Sequence, residues 1–214
     1  GMESFIRSAL KPFQALPFLS SGTADQMEVD DRGIAISCAS HAGTNAHARE
    51  AFRLLWKADL DIASLQCPVP DGADSPLQHN CSGKHAAFLA TSRKMGWPID
   101  SYLQNDHPLQ VEVNRRVAEL IGLPAEELVA ERDDCGAPTL VMQLAQMALL
   151  YAHLGASQHA EFEQISRAML SHPDLVAGEG RFDTELMRRS HGQVLSKGGA
   201  EGIQCLSRVG EGLG

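Results

Sequence analysis

Leu77-Gln78-His79-Asn80-Cys81-Ser82-Gly83-Lys84-His85 is a dense polar run that opens directly into the apolar-periodic segment Ala86 to Met95. It reads as a loop feeding a helix N-terminus, where the first backbone N–H groups lack partners and partial positive charge collects. A thiol, a hydroxyl, an amine and two imidazoles are therefore gathered where an anion or oxyanion would be stabilised. The same residues also satisfy a plain structural reading, an Asn or Ser cap with a half-buried Cys behind it.

Around this stretch lies a chain of 214 residues, 43% of them hydrophobic, enough to bury a sizeable core. Its formal charge of -9, with no Lys/Arg cluster, argues against a nucleic-acid partner and for a small soluble ligand. No apolar run reaches the length of a membrane span and the N-terminus lacks the pattern of a signal peptide, so the expectation is no membrane partner and a cytoplasmic location. Five cysteines without framework spacing fit reduced thiols better than disulfides.

Upstream, Arg7-Ser8-Ala9-Leu10-Lys11-Pro12 puts a hydroxyl and an amine three residues apart, neighbours on one helical face. A desolvated lysine can take a serine's proton, but a pattern this short is weak, and Pro12 limits the helix to a single turn or a bent start. Gly33-Ile34-Ala35-Ile36-Ser37-Cys38-Ala39 is β-prone, bounded by Asp30-Asp31-Arg32-Gly33, and is expected as a strand delivering Ser40-His41 to a strand-to-helix turn. Residues 66 to 79 form an irregular connection.

Downstream, His107 as cap, Pro108 at the first helical position and Gly122 beyond the last turn bracket a helix. Glu131-Arg132-Asp133-Asp134-Cys135-Gly136-Ala137-Pro138-Thr139 repeats the opening pattern, a polar turn with one Cys before a helical run that stops at Gly155. Two thiols at comparable positions can meet, and with Lys84 or His85 nearby could hold a thiophilic metal, although the paired spacings typical of zinc are absent. In Gly180-Arg181-Phe182-Asp183, Arg181 either grips a carboxylate or pairs with Asp183. Lys197-Gly198-Gly199, before the strand-like Ile203 to Val209, lets the backbone come close to a ligand. Helices are expected near 45–58, 82–95, 108–121, 139–154 and 159–171, and strands near 33–39, 193–197 and 203–209.

Together, Ser8-x-x-Lys11-Pro12, Ser40-His41-x-Gly43, Asn80-Cys81-Ser82-Gly83-Lys84-His85, Asp106-His107-Pro108, Asp133-Asp134-Cys135-Gly136-x-Pro138, Gly180-Arg181-Phe182-Asp183-Thr184 and Lys197-x-Gly199-Ala200-Glu201-Gly202 resemble the bacterial L-asparaginase II family. The motifs run in the family's order and span nearly the whole chain, which makes the set specific where each fragment alone is not. The resemblance implies an α/β (α+β) fold similar to serine β-lactamases, penicillin-binding proteins and glutaminases, a helical cluster packed on an antiparallel sheet. One domain over 1–214 is expected, its helical part about 45–175, its sheet drawn from about 30–40 and 190–210. The family also implies further segments before Ser8 and after Gly214, so a sheet truncated at both ends is expected.

By resemblance, Ser8 is the nucleophile with Lys11 as its base, and Ser40 with Lys197 is a second such pair, Lys197-Gly198-Gly199 resembling the β-lactamase K-T-G element. Asp133 matches a residue binding the substrate's α-amino group, with His41 and Arg181 as further substrate contacts. Cys81, Lys84 and Cys135 match positions at which family members bind zinc, and no organic cofactor is implied. The implied activity is hydrolysis of L-asparagine to L-aspartate and ammonia, with a homodimer allowed. The alternatives are a non-catalytic binding or assembly module, and a glutaminase or β-lactam-recognising acylase.

Overall fold

The computed structural model describes residues 1–214 as mixed helix and antiparallel sheet. In chain order the elements begin with β1 (Glu3–Phe5), a 3₁₀ turn over Arg7–Leu10, α1 (Lys11–Gln14), α2 (Leu16–Ser20), α3 (Thr23–Gln26), α4 (Asp31–Ser37), α5 (Asn45–Lys57) and α6 (Ser82–Met95). They continue with α7 (Pro108–Ile121), β2 (Val129–Arg132), β3 (Pro138–Gln143), α8 (Leu144–Ala156), α9 (Ala160–Ser171), α10 (Pro173–Val176), α11 (Phe182–Arg189), β4 (Val194–Gly198) and β5 (Gln204–Arg208). No helix is long and apolar enough to cross a membrane.

The opening polar stretch leads into the central helix. α6 is buried from Ser82 to Ser92 and packs against α5, α4 and α2. A helix buried on every side has no polar face to turn to water, and the Ala-rich run Ala86-Ala87-Phe88-Leu89-Ala90 meets that requirement. Gly83 is where α4 crosses it: a Cβ there would sit 2.1 Å from the Ile36 carbonyl oxygen, so only glycine allows the two backbones this close. α6 ends at Gly96 and α7 at Gly122, both in the left-handed conformation that closes a helix.

The sheet is two pieces. β3 lies between β1 and β2, antiparallel to both, with Glu3 opposite Gln143 and Val129 opposite Val141. β4 and β5 form an antiparallel hairpin in which Lys197 faces Cys205. One apolar cluster of 48 buried residues takes members from both pieces and from the helices between them, including Leu140, Leu195, Phe88 and Met169.

Two sequence expectations are corrected. The stretch 33–39, expected as a strand and as part of the sheet from 30–40, is helix α4, started by Asp30, whose carboxylate accepts the Gly33 N–H at 3.1 Å. Gly33 through Ser37 are all buried, and an apolar run covered on every side carries no periodicity to separate strand from helix. The helix expected from 139 begins instead at Leu144, because Thr139 to Gln143 belong to the central strand β3, and Cys135 sits in the turn of a β2–β3 hairpin rather than before a helix. Two strands thus fall inside the span of 45–175 expected to be helical.

Candidate active site

A cavity of about 450 Å³ opens where the 3₁₀ turn after β1, the α4–α5 loop, the start of α6, the β2–β3 turn and the β4–β5 hairpin converge. Ser8, Ser40, Cys81, Asp133, Cys135, Arg181 and Lys197 line it. Residues separated by most of the chain thus share one wall. Lys11, Lys84 and His41 stand behind that wall, all at least nine-tenths buried.

Ser8 lies on the 3₁₀ turn and Ser40 in the loop after α4, and the Ser40 hydroxyl donates to Ser8 Oγ at 3.3 Å. Lys11, at 0% exposure, points its Nζ at backbone, donating to the Ala39 carbonyl at 2.7 Å and the Asn80 carbonyl at 3.4 Å. It thereby ties the residue before Ser40 to the residue before Cys81. Lys197, also at 0%, donates to its own neighbour's carbonyl, that of Gly198, at 2.7 Å. Burial, reinforced by the nearby Lys11 charge, pushes the Lys197 amine down from its ordinary 10.5 to about 7. An amine of that pKa at a cavity wall can hold or release a proton near neutrality.

The Lys197 strand is held in place by Asp183. Its carboxylate accepts from Ser196 Oγ at 2.6 Å, from the Gly198 N–H at 2.8 Å and from Gln204 Nε2 at 2.8 Å. It fixes both strands of the hairpin across the first turn of α11. The spacing Arg181-Phe182-Asp183 left Arg181 a choice between Asp183 and a ligand; Asp183 is spent on the hairpin. Arg181 is exposed at the cavity edge, with no carboxylate of the protein within ion-pair distance and one long contact to the Ser40 carbonyl at 3.4 Å.

Opposite it lies an acidic wall. Asp133 and Asp134 stand in the β2–β3 turn, which Gly136 closes at φ +85°. Arg7, the residue before Ser8, sits at φ +51°, and its guanidinium reaches Asp133 at 2.9 Å, Asp134 at 2.8 Å and Glu201 at 3.0 Å. Sequence reasoning singled out neither Arg7 nor Asp183 as site residues. Arg7 joins the nucleophile turn, the acidic turn and the β4–β5 loop through one side chain. The only sequence signal for it was adjacency to Ser8.

His41, expected at the substrate, stands buried behind the cavity wall. Its Nδ1 accepts the Gly43 N–H at 3.1 Å, so its Nε2–H donates to Ser82 Oγ at 3.0 Å, and its ring stacks on His47 with centroids 4.8 Å apart. Burial and the neighbouring His47 hold it well below its ordinary range, as a neutral imidazole. The helix start at Ser82 to Lys84 is likewise sealed behind Cys81, away from the cavity that Cys81 itself lines.

Cys81 and Cys135 line the same cavity. Cys81 Sγ donates to Asn80 Oδ1 at 3.2 Å; its neighbour Cys135 and burial raise the Cys81 thiol, while Cys81 and the Lys84 charge hold the Cys135 thiol below its ordinary range. Lys84 Nζ donates to Cys135 Sγ at 3.2 Å; burial opposes its charge, but the two sulfurs outweigh it and the amine is raised. No group of three or more His, Cys, Asp or Glu side chains is arranged to hold a metal, so an ion here would depend on two sulfurs and the lysine nitrogen.

The model of the family described as L-asparaginase II matches residues 2–214. The chain belongs to the L-asparaginase II family. A comparison with curated proteins gave no match. Membership makes the protein an asparaginase-type hydrolase in general, one whose substrate is an amide such as asparagine.

Proposed function

We propose that the protein hydrolyses L-asparagine to L-aspartate and ammonia through an acyl-enzyme on Ser8. The observation that carries the reading is the Ser8–Ser40 hydroxyl pair on a cavity wall with Lys197, an amine of pKa about 7. The rims suit an amino acid: Arg181 has no acidic partner and receives the α-carboxylate, while Asp133 and Asp134 face the α-ammonium. The side-chain amide then points at Ser8. As Ser8 Oγ adds to the amide carbon, its proton passes through Ser40 to neutral Lys197 and from there to the departing nitrogen, which leaves as ammonia. Water adds to the ester and gives its proton to Lys197; the bond to Ser8 Oγ breaks, that proton returns through Ser40 to Ser8, and aspartate departs with Ser8 and neutral Lys197 restored. Lys11, whose nitrogen is engaged by two carbonyls, holds the wall and keeps Lys197 from charging.

Ammonia release from L-asparagine, L-glutamine and a β-lactam side by side tests this. Asparagine turnover above the other two is the expected result. Absence of release from all three, with no adduct on Ser8 from an acylating amide analogue, would leave a binding module instead.

Cys81, Lys84 and Cys135 form the zinc ligand set in this reading. Two sulfurs and an amine leave a fourth position free, the pattern of an open zinc site, and Lys84 must shed its proton to serve. Bound there, zinc would supply Lewis acidity beside the cavity; the proton path above does not use it. Zinc titration at neutral pH is expected to show affinity at least about tenfold weaker in Cys135→Ser, about 1.4 kcal/mol. Equal affinity in both proteins excludes this ligand set.

A further inference from the structure

We propose that Cys81 and Cys135 are a reversible oxidation site: hydrogen peroxide oxidises Cys135, and Cys81 then closes a disulfide onto it. The inference rests on the placement of these side chains and not on the amidase reading. Of the five free cysteines, these two line the cavity that carries Ser8, and they come to it from different elements, the start of α6 and the β2–β3 turn. The Cys81 thiol, which donates to Asn80 Oδ1 at 3.2 Å, lies in the wall of the same cavity as Cys135, so both sulfurs border one space. Lys84 Nζ, 2% exposed as a residue, aims its only side-chain hydrogen bond at Cys135 Sγ, 3.2 Å away. A positive charge so placed stabilises negative charge on that sulfur as it attacks, and the cavity admits an oxidant as small as peroxide.

The other thiols lack this setting. Cys38 hydrogen-bonds with Ser37 Oγ at 3.7 Å inside the apolar core, Cys67 donates to the Pro76 carbonyl at 3.6 Å, and neither they nor Cys205 line this cavity. A thiol beside a cation and next to a second thiol is the arrangement of a sulfur that oxidises and is then resolved.

In the first step the Cys135 sulfur attacks one peroxide oxygen. An S–O bond forms, the O–O bond breaks, the sulfur loses two electrons to the peroxide, and one water leaves, giving a sulfenic acid. In the second the Cys81 sulfur attacks the Cys135 sulfur; an S–S bond forms, the S–O bond breaks, and the hydroxyl leaves as water with the remaining proton. Two thiols and one hydrogen peroxide thus give one disulfide and two waters. The crosslink fastens the start of α6 to the β2–β3 turn, so two walls of the cavity become one covalent unit, and both sulfurs are lost to any metal.

The test is treatment of the full chain, in chelator, with equimolar hydrogen peroxide, followed by intact mass, thiol titration and peptide mapping. Expected are loss of two of the five thiols, a mass lower by two hydrogens, a crosslinked pair of peptides carrying Cys81 and Cys135, and full reversal by dithiothreitol. Cys81→Ser should give no crosslink and accumulate oxygen on Cys135, and Lys84→Met should react at least about tenfold more slowly. Wild-type mapping decides the matter even if a variant folds poorly. Oxygen added to Cys135 without a crosslink, a bridge through Cys38, Cys67 or Cys205, no thiol oxidised at all, or wild-type speed in a folded Lys84→Met would each overturn it.

Discussion

Ser8→Ala is expected to lower ammonia release from L-asparagine by roughly 10⁴- to 10⁶-fold, a loss of about 5–8 kcal/mol of transition-state stabilisation, because no acyl-enzyme can form. The fold should hardly notice. Ser8 is partly exposed on the 3₁₀ turn and its one side-chain hydrogen bond is with Ser40, so the change costs at most about 1 kcal/mol in a urea titration. Ser40→Ala separates the roles of the pair. If Ser40 only relays a proton, its loss reduces turnover by about 10²- to 10⁴-fold and leaves an acyl adduct on Ser8 detectable by mass. An adduct on Ser40 in the Ser8→Ala protein would reverse the assignment. Wild-type turnover in Ser8→Ala would remove Ser8 from the chemistry altogether.

What could be read before the structure depended on whether a residue's role is local. α6 and α7 are bounded by signals within their own sequence, Gly96, Gly122 and the His107-Pro108 cap, and they occur as Ser82–Met95 and Pro108–Ile121. The strands expected near 193–197 and 203–209 occur as β4, Val194–Gly198, and β5, Gln204–Arg208, the latter with Cys205 and Ser207 inward, Leu206 and Arg208 outward. β2 and β3 were hidden for opposite reasons. Val129–Arg132 is a mostly exposed edge with little alternation, while the apolar Leu140 to Met142 run merges with that of α8 and extends its period backward. β1, only three residues long, had nothing to mark it.

The site divides in the same way. Serines, lysines and cysteines in short motifs can be found from chemistry that the residue types themselves carry. Arg7 and Asp183 cannot, because their roles are created by tertiary placement. A left-handed backbone turns Arg7 toward two loops more than a hundred residues away in sequence, and hairpin register puts three donors around Asp183. The difference between Lys11 and Lys197 is of this kind as well. Both sit next to a serine motif and both nitrogens donate to carbonyls, yet only the fold shows that Lys11 stands behind the wall, bridging two of its loops, while Lys197 is itself a lining residue of the cavity.

Turnover should rise with pH through about 7 and then level, because Lys197 must be neutral to accept the Ser8 proton and its pKa is pushed down to about 7. Lys11→Met removes the positive charge that helps hold Lys197 neutral, so the same limb should move to higher pH; an unmoved limb would mean the titrating group is elsewhere. Lys197→Met should cost about 10²- to 10⁴-fold in turnover and, independently, change how stability depends on pH. Between about 7 and the ordinary 10.5 the unfolded chain binds a proton at Lys197 that the folded chain does not, so folding stability rises with pH across that window. Below about 7 both states carry the proton, and the contribution no longer varies. The full rise corresponds to on the order of 5 kcal/mol. Urea unfolding of wild type and Lys197→Met at the two ends of the window isolates it, since every other titrating group is common to both proteins. The wild type should gain on Lys197→Met as pH rises. Parallel stability curves would show that Lys197 is protonated alike in folded and unfolded chains, and with that the proton acceptor for Ser8 would be lost.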